Sequence, residues 1–284
     1  MTIKNWLIVL RAYSWPASLV PVVLGSAVAA RNGRFSWLDL ALIMPAALLI
    51  HSAANLANTY FDFRNGVDRP ETADDRGLVD NMIPPARMLR LALGMLAAGA
   101  AAGLLLVVKN HVPAMLALGA AGLALAWFYT SGPAYKYRRL GDAGIFLAFG
   151  PCIVIGTALI QTGRFVPEAL WASIPVGLQV TAILHANNMR DLRSDSAANF
   201  LTLAGTLGTG GAKKFYYALI FTPYLFTFTF GSAWPAALCA LSVPLAVRLG
   251  RLAARGEFSR LVPGTSGLVA AYGLLLSAGL LAAP

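Results

Sequence analysis

The sequence predicts an all-α integral membrane protein in which nine transmembrane helices surround a central cavity. Hydrophobic residues make up 58% of the 284 positions and charged residues only 12%, whereas roughly a quarter of the residues are charged in soluble domains. Apolar runs of about the length needed to cross a bilayer recur along the chain. They cover residues 6–30, 37–61, 87–108, 113–130, 142–162, 167–189, 214–232, 234–250 and 265–283. Because the polar loops between them are short, we expect residues 1–284 to form one transmembrane domain.

The charge distribution predicts how these helices are oriented. The first run is too long and too interrupted for a cleaved signal peptide, so it is predicted to be a retained helix. With nine spans, one face of the membrane holds seventeen Lys and Arg residues, and the other face holds only Arg31, Arg34, Lys109 and Arg164. An excess of positive charge marks the cytoplasmic side. Ten of the twelve acidic residues share that face, which orientation alone does not require.

Few reactive side chains lie inside the predicted spans. Arg11 is about one turn inside the first span, where it is either functional or extends to the headgroups, and the sequence favours neither interpretation. Cys152 and Cys239 show no metal-binding spacing and are interpreted as small core residues without a disulfide.

An acidic motif, NTYFDFRNGVD at residues 58–68, ends the second span. Asn58 and Asp62 are four residues apart and would lie on the same face of a helix. A straight helix would carry Asp68 to the far side of Asp62. We therefore expect Gly66 to break the helix and let Asp68 fold back.

Polar residues recur along the second span at steps of 4, 3 and 4, at His51, Asn55, Asn58 and Asp62. This spacing describes one face of a helix. Unpaired amides and carboxylates are costly in lipid, so this face is predicted to line a cavity inside the bundle. For His51 alone, a neutral core histidine is favoured over a ligand or a base.

A second acidic motif, HANNMRDLRSD at residues 185–195, ends the sixth span and places Asn187, Asp191 and Asp195 on one helical stripe. Two such clusters would repel each other without a metal, and Mg²⁺ prefers carboxylate oxygens together with substrate phosphates. The predicted catalytic residues are Asp62, Asp68, Asp191 and Asp195. The predicted Mg²⁺ ligands are the same four aspartates with Asn58 and Asn187.

The two acidic motifs also suggest an internal repeat. His, Asn and Asp follow one another in the same order at the ends of the second and sixth spans. We therefore predict two pseudo-repeated four-helix units followed by a ninth helix, with both motifs facing each other across a pseudo-twofold centre. The glycine-rich stretch at residues 202–214 does not satisfy the phosphate-loop pattern, because Ala212 precedes Lys213. A loop and a helix start are expected there.

Basic side chains flank both motifs. The loop at residues 64–86 leaves directly from the Asp62 helix and is predicted to cap the cavity, with Arg76 available to an anion. The loop at residues 127–142 mixes tyrosines with cations, which fits nucleic-acid binding, an interfacial belt or a diphosphate clamp; Lys136 is the preferred clamp residue, and no nucleic-acid partner is expected. The predicted substrate-binding residues are Asn58, Asn187, Asn188, Lys136, Arg76, Arg190, Arg64 and Tyr129.

A metal-binding head facing an apolar bundle suits an isoprenoid diphosphate, with its diphosphate on the metal and its tail in the membrane. Mg²⁺ and basic residues would stabilise the departing diphosphate and leave an allylic cation that needs a dry pocket. Aromatic residues near the acidic ends could contact that cation, although packing is the favoured role for each of them taken singly. They are Tyr60, Phe61, Phe63 and Tyr129.

The motifs resemble those of the UbiA superfamily of intramembrane prenyltransferases. NTYFDFRNGVD, DDRGLVD, YTSGPAYKYRRLGD with FGP, and HANNMRDLRSD are similar in order and spacing to its MenA-type branch and to the animal UbiA-domain enzyme that makes menaquinone. The resemblance covers nearly the whole chain, including RAYSWPASLVPVVLG in the first span. Thr59 departs from many bacterial members, which have Asp there, and agrees with the animal pattern.

This resemblance implies nine helices around a central cavity, dependence on Mg²⁺, and transfer of a polyprenyl group to a naphthoquinone-type aromatic acceptor such as 1,4-dihydroxy-2-naphthoate. It assigns the metal and diphosphate site to the residues that match the family motifs. They are Asn58, Asp62, Asp68, Asn187, Asp191 and Asp195.

Other functions stay open from the sequence. Within the same family, the acceptor could be 4-hydroxybenzoate or homogentisate, or the prenyl diphosphate could be cyclised without an acceptor. A membrane transporter is the alternative from a different class, because intramembrane acids also mark ion paths. A phosphatidyltransferase is excluded, because its DGxxAR pattern is absent. We expect the protein in a bacterial or archaeal cell membrane, with a prenyl diphosphate, a quinone precursor and the lipid bilayer as partners and the active site at the cytoplasmic face.

Overall fold

The structure, a computed structural model, describes residues 2–70, 73, 75–192, 195, 200 and 202–283. Every extended regular element in this part of the chain is helical, which confirms the all-α class. The helices are α1 (Ile3–Val9), α2 (Pro16–Arg31), α3 (Trp37–Arg64), α4 (Pro85–Asn110), α5 (Ala114–Trp127), α6 (Gly141–Leu147), α7 (Ile153–Thr162), α8 (Pro167–Arg190), α9 (Leu203–Phe226), α10 (Ala233–Ala240), α11 (Val243–Arg255) and α12 (Leu261–Ala282).

Several of these helices are long and apolar enough to cross a bilayer, so the chain is an integral membrane protein. Within the described ranges there are six such segments, and α10 with α11 forms a seventh candidate that is bent by 51°. The apolar helix α5 is shorter, with 14 residues. The count of nine spans, the repeat of four-helix units and the single domain over residues 1–284 stay predictions. The six segments are Ala12–Arg31, Trp37–Arg64, Pro85–Asn110, Gly141–Thr162, Pro167–Arg190 and Phe258–Ala282.

The first apolar run is not one helix, contrary to the prediction for residues 6–30. The helix α1 ends at Val9, and Arg11 then adopts a left-handed backbone conformation with φ of 52°. A short 3₁₀ turn follows, and α2 begins at Pro16. Proline suits the first position of a helix, because its fixed φ is already helical and its missing N–H needs no partner there. The break lets Val9 of α1 pack against Leu56 and Ile83.

The glycine-rich stretch at residues 202–214 is also not the predicted loop. Thr202 caps the start of α9, since its Oγ1 accepts a hydrogen bond of 3.1 Å from the Gly205 N–H. The break that the composition suggests is confined to Gly208, whose φ is 64°. Glycine adopts this conformation without a Cβ penalty, so one residue kinks the helix while the flanking turns stay helical.

Small residues bring the helices close together. A Cβ atom added at Gly273 of α12 would lie 2.0 Å from Val20 Cγ1 of α2, and one at Gly99 of α4 would lie 2.6 Å from Ile50 Cγ1 of α3. Such close approach is the usual basis of helix packing in membranes. Buried hydroxyl groups find partners across helices, as in the 2.7 Å hydrogen bond from Tyr272 to the Pro223 carbonyl. Both cysteines carry free thiols, and Cys239 is buried in the core.

An irregular helix segment faces the interior between α6 and α7. Residues Ala148–Cys152 form a π-helical turn around Pro151, which has no N–H to continue an α-helical ladder. Gly150 in this turn packs directly on α8, since a Cβ atom there would lie 3.0 Å from the Gly177 Cα atom. The turn presents Phe149 to the central cavity.

The end of the bundle opposite the acidic motifs is held by an ion pair. The Lys109 Nζ at the end of α4 donates a 2.8 Å hydrogen bond to the buried Asp39 carboxylate at the start of α3. Asn110 donates to the same oxygen at 3.0 Å. These contacts fix α3 and α4 as an antiparallel pair, so the Asp62 end of α3 lies beside the start of α4.

Candidate active site

A cavity of about 290 Å³ runs through the bundle and is walled mainly by apolar side chains. One face of α3 lines it, including His51, Asn55 and Asn58, as the polar spacing predicts. The cavity therefore has a polar end at Asn58 and Lys136, which we call the head end, and an apolar end at Ile43 and Leu106. Between them, α4 and α5 contribute Gly99, Gly103, Gly119 and Gly122.

Asp62 and Lys136 form the centre of the head end. The Lys136 Nζ donates to Asp62 Oδ2 at 2.6 Å and to Asn58 Oδ1 at 3.1 Å. The Tyr137 hydroxyl donates to the other Asp62 oxygen. Lys136 Nζ also lies 5.8 and 5.4 Å from the ring centroids of Tyr129 and Tyr137, distances typical of cation–π contacts. The Asp62 side chain is thus buried and held by two donors from the 127–142 loop.

The chain turns back after α3, as predicted. Gly66 has a φ of 72°, and the backbone N–H groups of Val67 and Asp68 both donate to the Asp62 carbonyl, at 2.8 and 3.2 Å. Burial and the neighbouring Asp62 carboxylate raise the pKa of Asp68 to about 6, against the opposing effect of Arg11 and Lys136. The fold-back therefore places a second carboxylate beside Asp62 and within electrostatic reach of both cations.

The second acidic motif reaches the same end of the cavity through Asn187, which lines it, whereas Asp62, Asp68, Asp191 and Asp195 are not among the lining residues. The helix α8 ends at Arg190, and the turns continue through backbone hydrogen bonds from Asp191 to Asn187 and from Asp195 to Asp191, at 3.0 and 2.9 Å. Arg190 binds both oxygens of Asp191 at 2.8 Å. Of the other residues in the motif, Arg193 and Ser194 lie outside the described residues.

Electrostatic effects connect the two motifs. Burial and Asp191 raise the pKa of Asp195 to about 6. Asp62 of the first motif raises this pKa further, and Lys136 of the 127–142 loop lowers it. The rings of Tyr137 and Phe200, whose centroids are 4.7 Å apart, also join the 127–142 loop, which contacts Asp62, to the segment that follows the second motif. The structure therefore brings the two carboxylate-bearing helix ends together, which their separation in sequence could only suggest.

The head end offers oxygen atoms without partners. Asp68 Oδ2 and Asn187 Oδ1 are buried and make no hydrogen bond to any residue that the structure describes, although buried polar atoms are normally paired. Carboxylate and amide oxygens are the ligands that Mg²⁺ prefers, usually with waters and phosphate oxygens. In the described part of the chain, no three His, Cys, Asp or Glu residues are close enough to hold a metal by themselves. The donor set therefore fits a metal that a diphosphate helps to bind.

The chain was compared with known proteins. The model of the UbiA prenyltransferase family matches residues 18–261. The chain belongs to this family. The UbiA prenyltransferase domain-containing protein 1 of Xenopus tropicalis is 35% identical to this UbiA-family chain and is matched over 99% of the chain and 82% of its own length. This relative and the matching proteins of chicken, mouse and fly are animal proteins, which gives no support to the expected bacterial or archaeal origin.

Solved structures show the same fold. A UbiA homolog from Aeropyrum pernix superposes with a TM-score of 0.72 at 20% identity, covering 92% of this UbiA-family chain and 95% of its own. A UbiA homolog from Archaeoglobus fulgidus bound to GPP and Mg²⁺ superposes with a TM-score of 0.65 at 18% identity, covering 96% and 99%. The chain is thus a prenyltransferase by family, which removes the support for a transporter.

Not every predicted site residue of this UbiA-family protein lines the cavity. Tyr129 and Asn187 do, whereas the buried Asn188 and the exposed Arg64 do not. Arg76 donates to Asp80 Oδ2 at 3.0 Å and to the Pro70 carbonyl, both within its own loop. Its predicted role toward an anion stays a prediction, as do the roles of the other site residues.

The four aromatic residues that were predicted to contact an allylic cation also differ in whether they line the cavity. Tyr60 and Phe61 pack in an apolar cluster with Trp127, and Phe63 is exposed. Only Tyr129 of the four lies on the cavity wall. Packing therefore accounts for Tyr60 and Phe61, whereas Phe63 is exposed and lines neither the cavity nor this cluster.

The sequence did not predict the hydrogen-bond partners of His51 and His185. His51 lies between the hydroxyls of Ser14 and Ser18, at 3.2 and 2.8 Å, and on the cavity wall. His185, at the equivalent place in the second motif, is fully buried and faces two oxygens, Asp142 Oδ1 at 2.8 Å and the Ala212 carbonyl at 3.1 Å. Because a carbonyl only accepts, the His185 Nε2 carries a proton. The two histidines thus differ in their hydrogen-bond partners, and His51 lines the cavity whereas His185 does not.

A buried ion pair at the head end was also missed. Arg11 turns inward and lies 3.5 Å from Asp75, whose side chain is 1% exposed. The only sequence signal was an arginine near the end of a span together with a mixed-charge loop more than sixty residues later. Their proximity depends on the tertiary structure.

Proposed function

We propose that this UbiA-family protein transfers a polyprenyl group from an isoprenoid diphosphate to a naphthoquinone-type aromatic acceptor such as 1,4-dihydroxy-2-naphthoate, a step of menaquinone biosynthesis in the MenA-type branch. The observation that carries the proposal is the joining of two carboxylate motifs and Lys136 at one end of an apolar cavity. We place this end at the cytoplasmic face, with nine spans arranged as two four-helix units and a ninth helix.

In this proposal, Asp62, Asp68, Asp191 and Asp195 hold Mg²⁺ with Asn58 and Asn187. The unpartnered Asp68 and Asn187 oxygens support this assignment, and so does the GPP-bound and Mg²⁺-bound homolog. Bound Mg²⁺ would supply Lewis-acid stabilisation of the leaving diphosphate.

The chain's own residues would orient the substrate and exclude water. In the structure, Lys136 forms an ion pair with Asp62. With substrate bound, Lys136 would instead donate to the phosphate oxygens, and Arg190, which pairs with Asp191, would be a second cation near them. The prenyl tail would occupy the apolar part of the cavity, where the absence of water protects a carbocation from hydrolysis. Tyr129 and Phe149 present aromatic rings to the same space.

Transfer to another aromatic ring, or cyclisation of the prenyl chain, is the second candidate function. The fold and the head end fit all of these reactions, so the identity of the acceptor, or its absence in a cyclisation, distinguishes them. The resemblance of the sequence motifs to the MenA-type branch and to the animal UbiA-domain enzyme that makes menaquinone favours the quinone precursor.

The test is a product analysis. Purified protein in detergent or nanodiscs is incubated with Mg²⁺, geranylgeranyl diphosphate and a panel of dihydroxynaphthoate, hydroxybenzoate and homogentisate, and products are identified by mass spectrometry. We expect a prenylated naphthoquinol that disappears when EDTA removes the metal. Prenylation of other acceptors but not of dihydroxynaphthoate would contradict the proposal.

Metal binding should depend on pH. Because the pKa values of Asp68 and Asp195 are both raised to about 6, both carboxylates are anionic above that pH and protonated below it, where a metal must displace the protons. Mn²⁺ can replace Mg²⁺ as a probe, because it is detected by EPR. Lowering the pH from about 7.5 to about 5.5 should therefore weaken the affinity of the protein for Mn²⁺ by about tenfold in a titration followed by EPR. Asp68→Asn should bind more weakly with a shallower pH dependence. Equal wild-type affinity at both pH values would contradict this prediction.

The cavity should limit prenyl chain length. Gly119 lines the cavity, and a Cβ atom added there meets nothing within 4 Å. It lies about 12 Å along α5 from Trp127, the last residue of that helix. Gly119→Val should therefore fill the cavity and shorten the longest prenyl diphosphate that the protein uses, while short substrates react normally. Gly267→Val is the control, because Gly267 also has open space but lies on the exposed face of α12. Identical chain-length profiles for the two variants would contradict the prediction.

A further inference from the structure

A buried network joins three separate segments beside the head end. The Asp75 Oδ2 accepts a 3.0 Å hydrogen bond from the Thr59 hydroxyl and lies 3.5 Å from the Arg11 Nε. Arg11 also donates to the Thr59 hydroxyl at 3.2 Å, and the Gly77 N–H donates to the other Asp75 oxygen at 2.7 Å. We call Arg11, Thr59 and Asp75 the positioning network. It connects the turn after α1, the end of α3 and the loop that follows.

The network is shielded from water. The side chains of Asp75 and Arg11 are 1% and 16% exposed. Removing one member of a buried ion pair leaves the other charge without compensation, which is far more damaging than removing both. Exposed ion pairs, by contrast, contribute little. The network therefore holds its three segments in one arrangement.

The surrounding packing leaves little room for another arrangement. A Cβ atom added at Gly77 would lie 2.9 Å from Asp75 Oδ1 and 3.1 Å from Val9 Cγ2. Leu78 and Ile83 are buried in the cluster that contains Val9 and Leu56. The segment from Asp75 to Ile83 thus packs against α1 and α3 at once.

The Arg11 backbone adopts a conformation that is uncommon for a residue other than glycine. Its φ of 52° lies in the left-handed region, which non-glycine residues adopt only when their surroundings enforce it. Asn55 on α3 donates to the Leu10 carbonyl at 3.3 Å, immediately before this turn. The strained turn directs the Arg11 side chain to Thr59 and to the wall of the cavity.

Thr59 is the point where the network reaches the site. It follows Asn58 and precedes Asp62 by three residues on the same helix end, and all three side chains are buried. From this arrangement we infer that Arg11, Thr59 and Asp75 are positioning residues, which hold the end of α3 so that Asn58 and Asp62 face the diphosphate and its metal. The inference rests on the proposed function and extends it to residues that do not themselves contact the metal.

The test measures affinity for a non-hydrolysable prenyl thiodiphosphate with Mg²⁺, alongside the acceptor KM and the thermal midpoint. Thr59→Val keeps the shape of the side chain and removes the hydroxyl, and it should weaken diphosphate-analogue binding by about tenfold while the acceptor KM stays within about twofold. Thr59→Ser should restore binding. Thr229→Val is the matched control, because Thr229 is exposed and, among the described residues, its hydroxyl donates a hydrogen bond to the Phe226 carbonyl.

A double-mutant cycle tests the ion pair. Arg11→Met and Asp75→Leu should each weaken analogue binding, and the double variant should bind better than the worse single variant, since it removes both charges of the pair together. Additive losses in the cycle, or Thr59→Val binding as tightly as wild type, would overturn the inference while the proposed function stands. Failure of wild type and Thr229→Val to bind the analogue would overturn both.

Discussion

Asp62→Asn is expected to lower kcat by at least about a thousandfold, equivalent to about 4 kcal/mol of transition-state stabilisation. The Asp62 carboxylate accepts from both Lys136 and Tyr137 and lies beside Asp68. The amide keeps the size of the side chain and removes the charge that would hold Mg²⁺. Asp191→Asn should have a comparable effect, because both motifs contribute to one site. Turnover is measured by product formation with saturating substrates.

Asp39→Asn is the matched control for this change. Asp39 is a buried aspartate on the same helix that also pairs with a lysine, Lys109, but at the opposite end. Its substitution should lower the thermal midpoint and leave kcat within about twofold. If Asp62→Asn retained near-normal turnover, or if both variants lost activity equally, the carboxylate site would be excluded.

Lys136→Ala is expected to weaken binding of a prenyl thiodiphosphate by about a hundredfold, which corresponds to about 2.8 kcal/mol. Lys136 is the only described cation with a direct ion pair to Asp62, and a charge-assisted hydrogen bond to phosphate is of this strength. The loss should appear in the diphosphate Kd and not in the acceptor KM. Isothermal titration of the analogue with Mg²⁺ present measures it.

Lys214→Ala serves as the control for Lys136→Ala. Lys214 is an exposed lysine on α9 outside the cavity lining, so its removal tests whether overall positive charge, rather than the position of Lys136, attracts the diphosphate. A Kd unchanged in Lys136→Ala, or equally weakened in both variants, would show that Lys136 is not the diphosphate clamp.

Local patterns in the sequence predicted the parts of the site that depend on helix periodicity. The steps between His51, Asn55 and Asn58 place them on one face of α3, and the structure shows that face on the cavity wall. Gly66, which was predicted to break the helix, has a positive φ directly after the end of α3. Periodicity and glycine conformation are properties of a few consecutive residues, so they can be read without knowledge of the rest of the fold.

Pairings between distant residues could not be read in this way. Lys136 was a candidate clamp in the sequence, but its partner Asp62 is seventy-four residues away. Arg76 looked available to an anion and instead contacts Asp80 in its own loop, while Arg11 has the buried position near the site. Which of several cations reaches a given carboxylate depends on how helix ends meet.

The amino-acid sequence by itself determined that this protein is helical, lies in a membrane and concentrates its acidic residues at two helix ends, because hydrophobicity and periodicity are set locally. The tertiary structure alone decided that these ends meet over one cavity, that α1 and α2 are separate helices, and that Asp75 is buried against Arg11. The physical reason is that a buried charge is stable only beside its partner, and that partner is supplied by a distant segment whose position the packing of the whole bundle fixes.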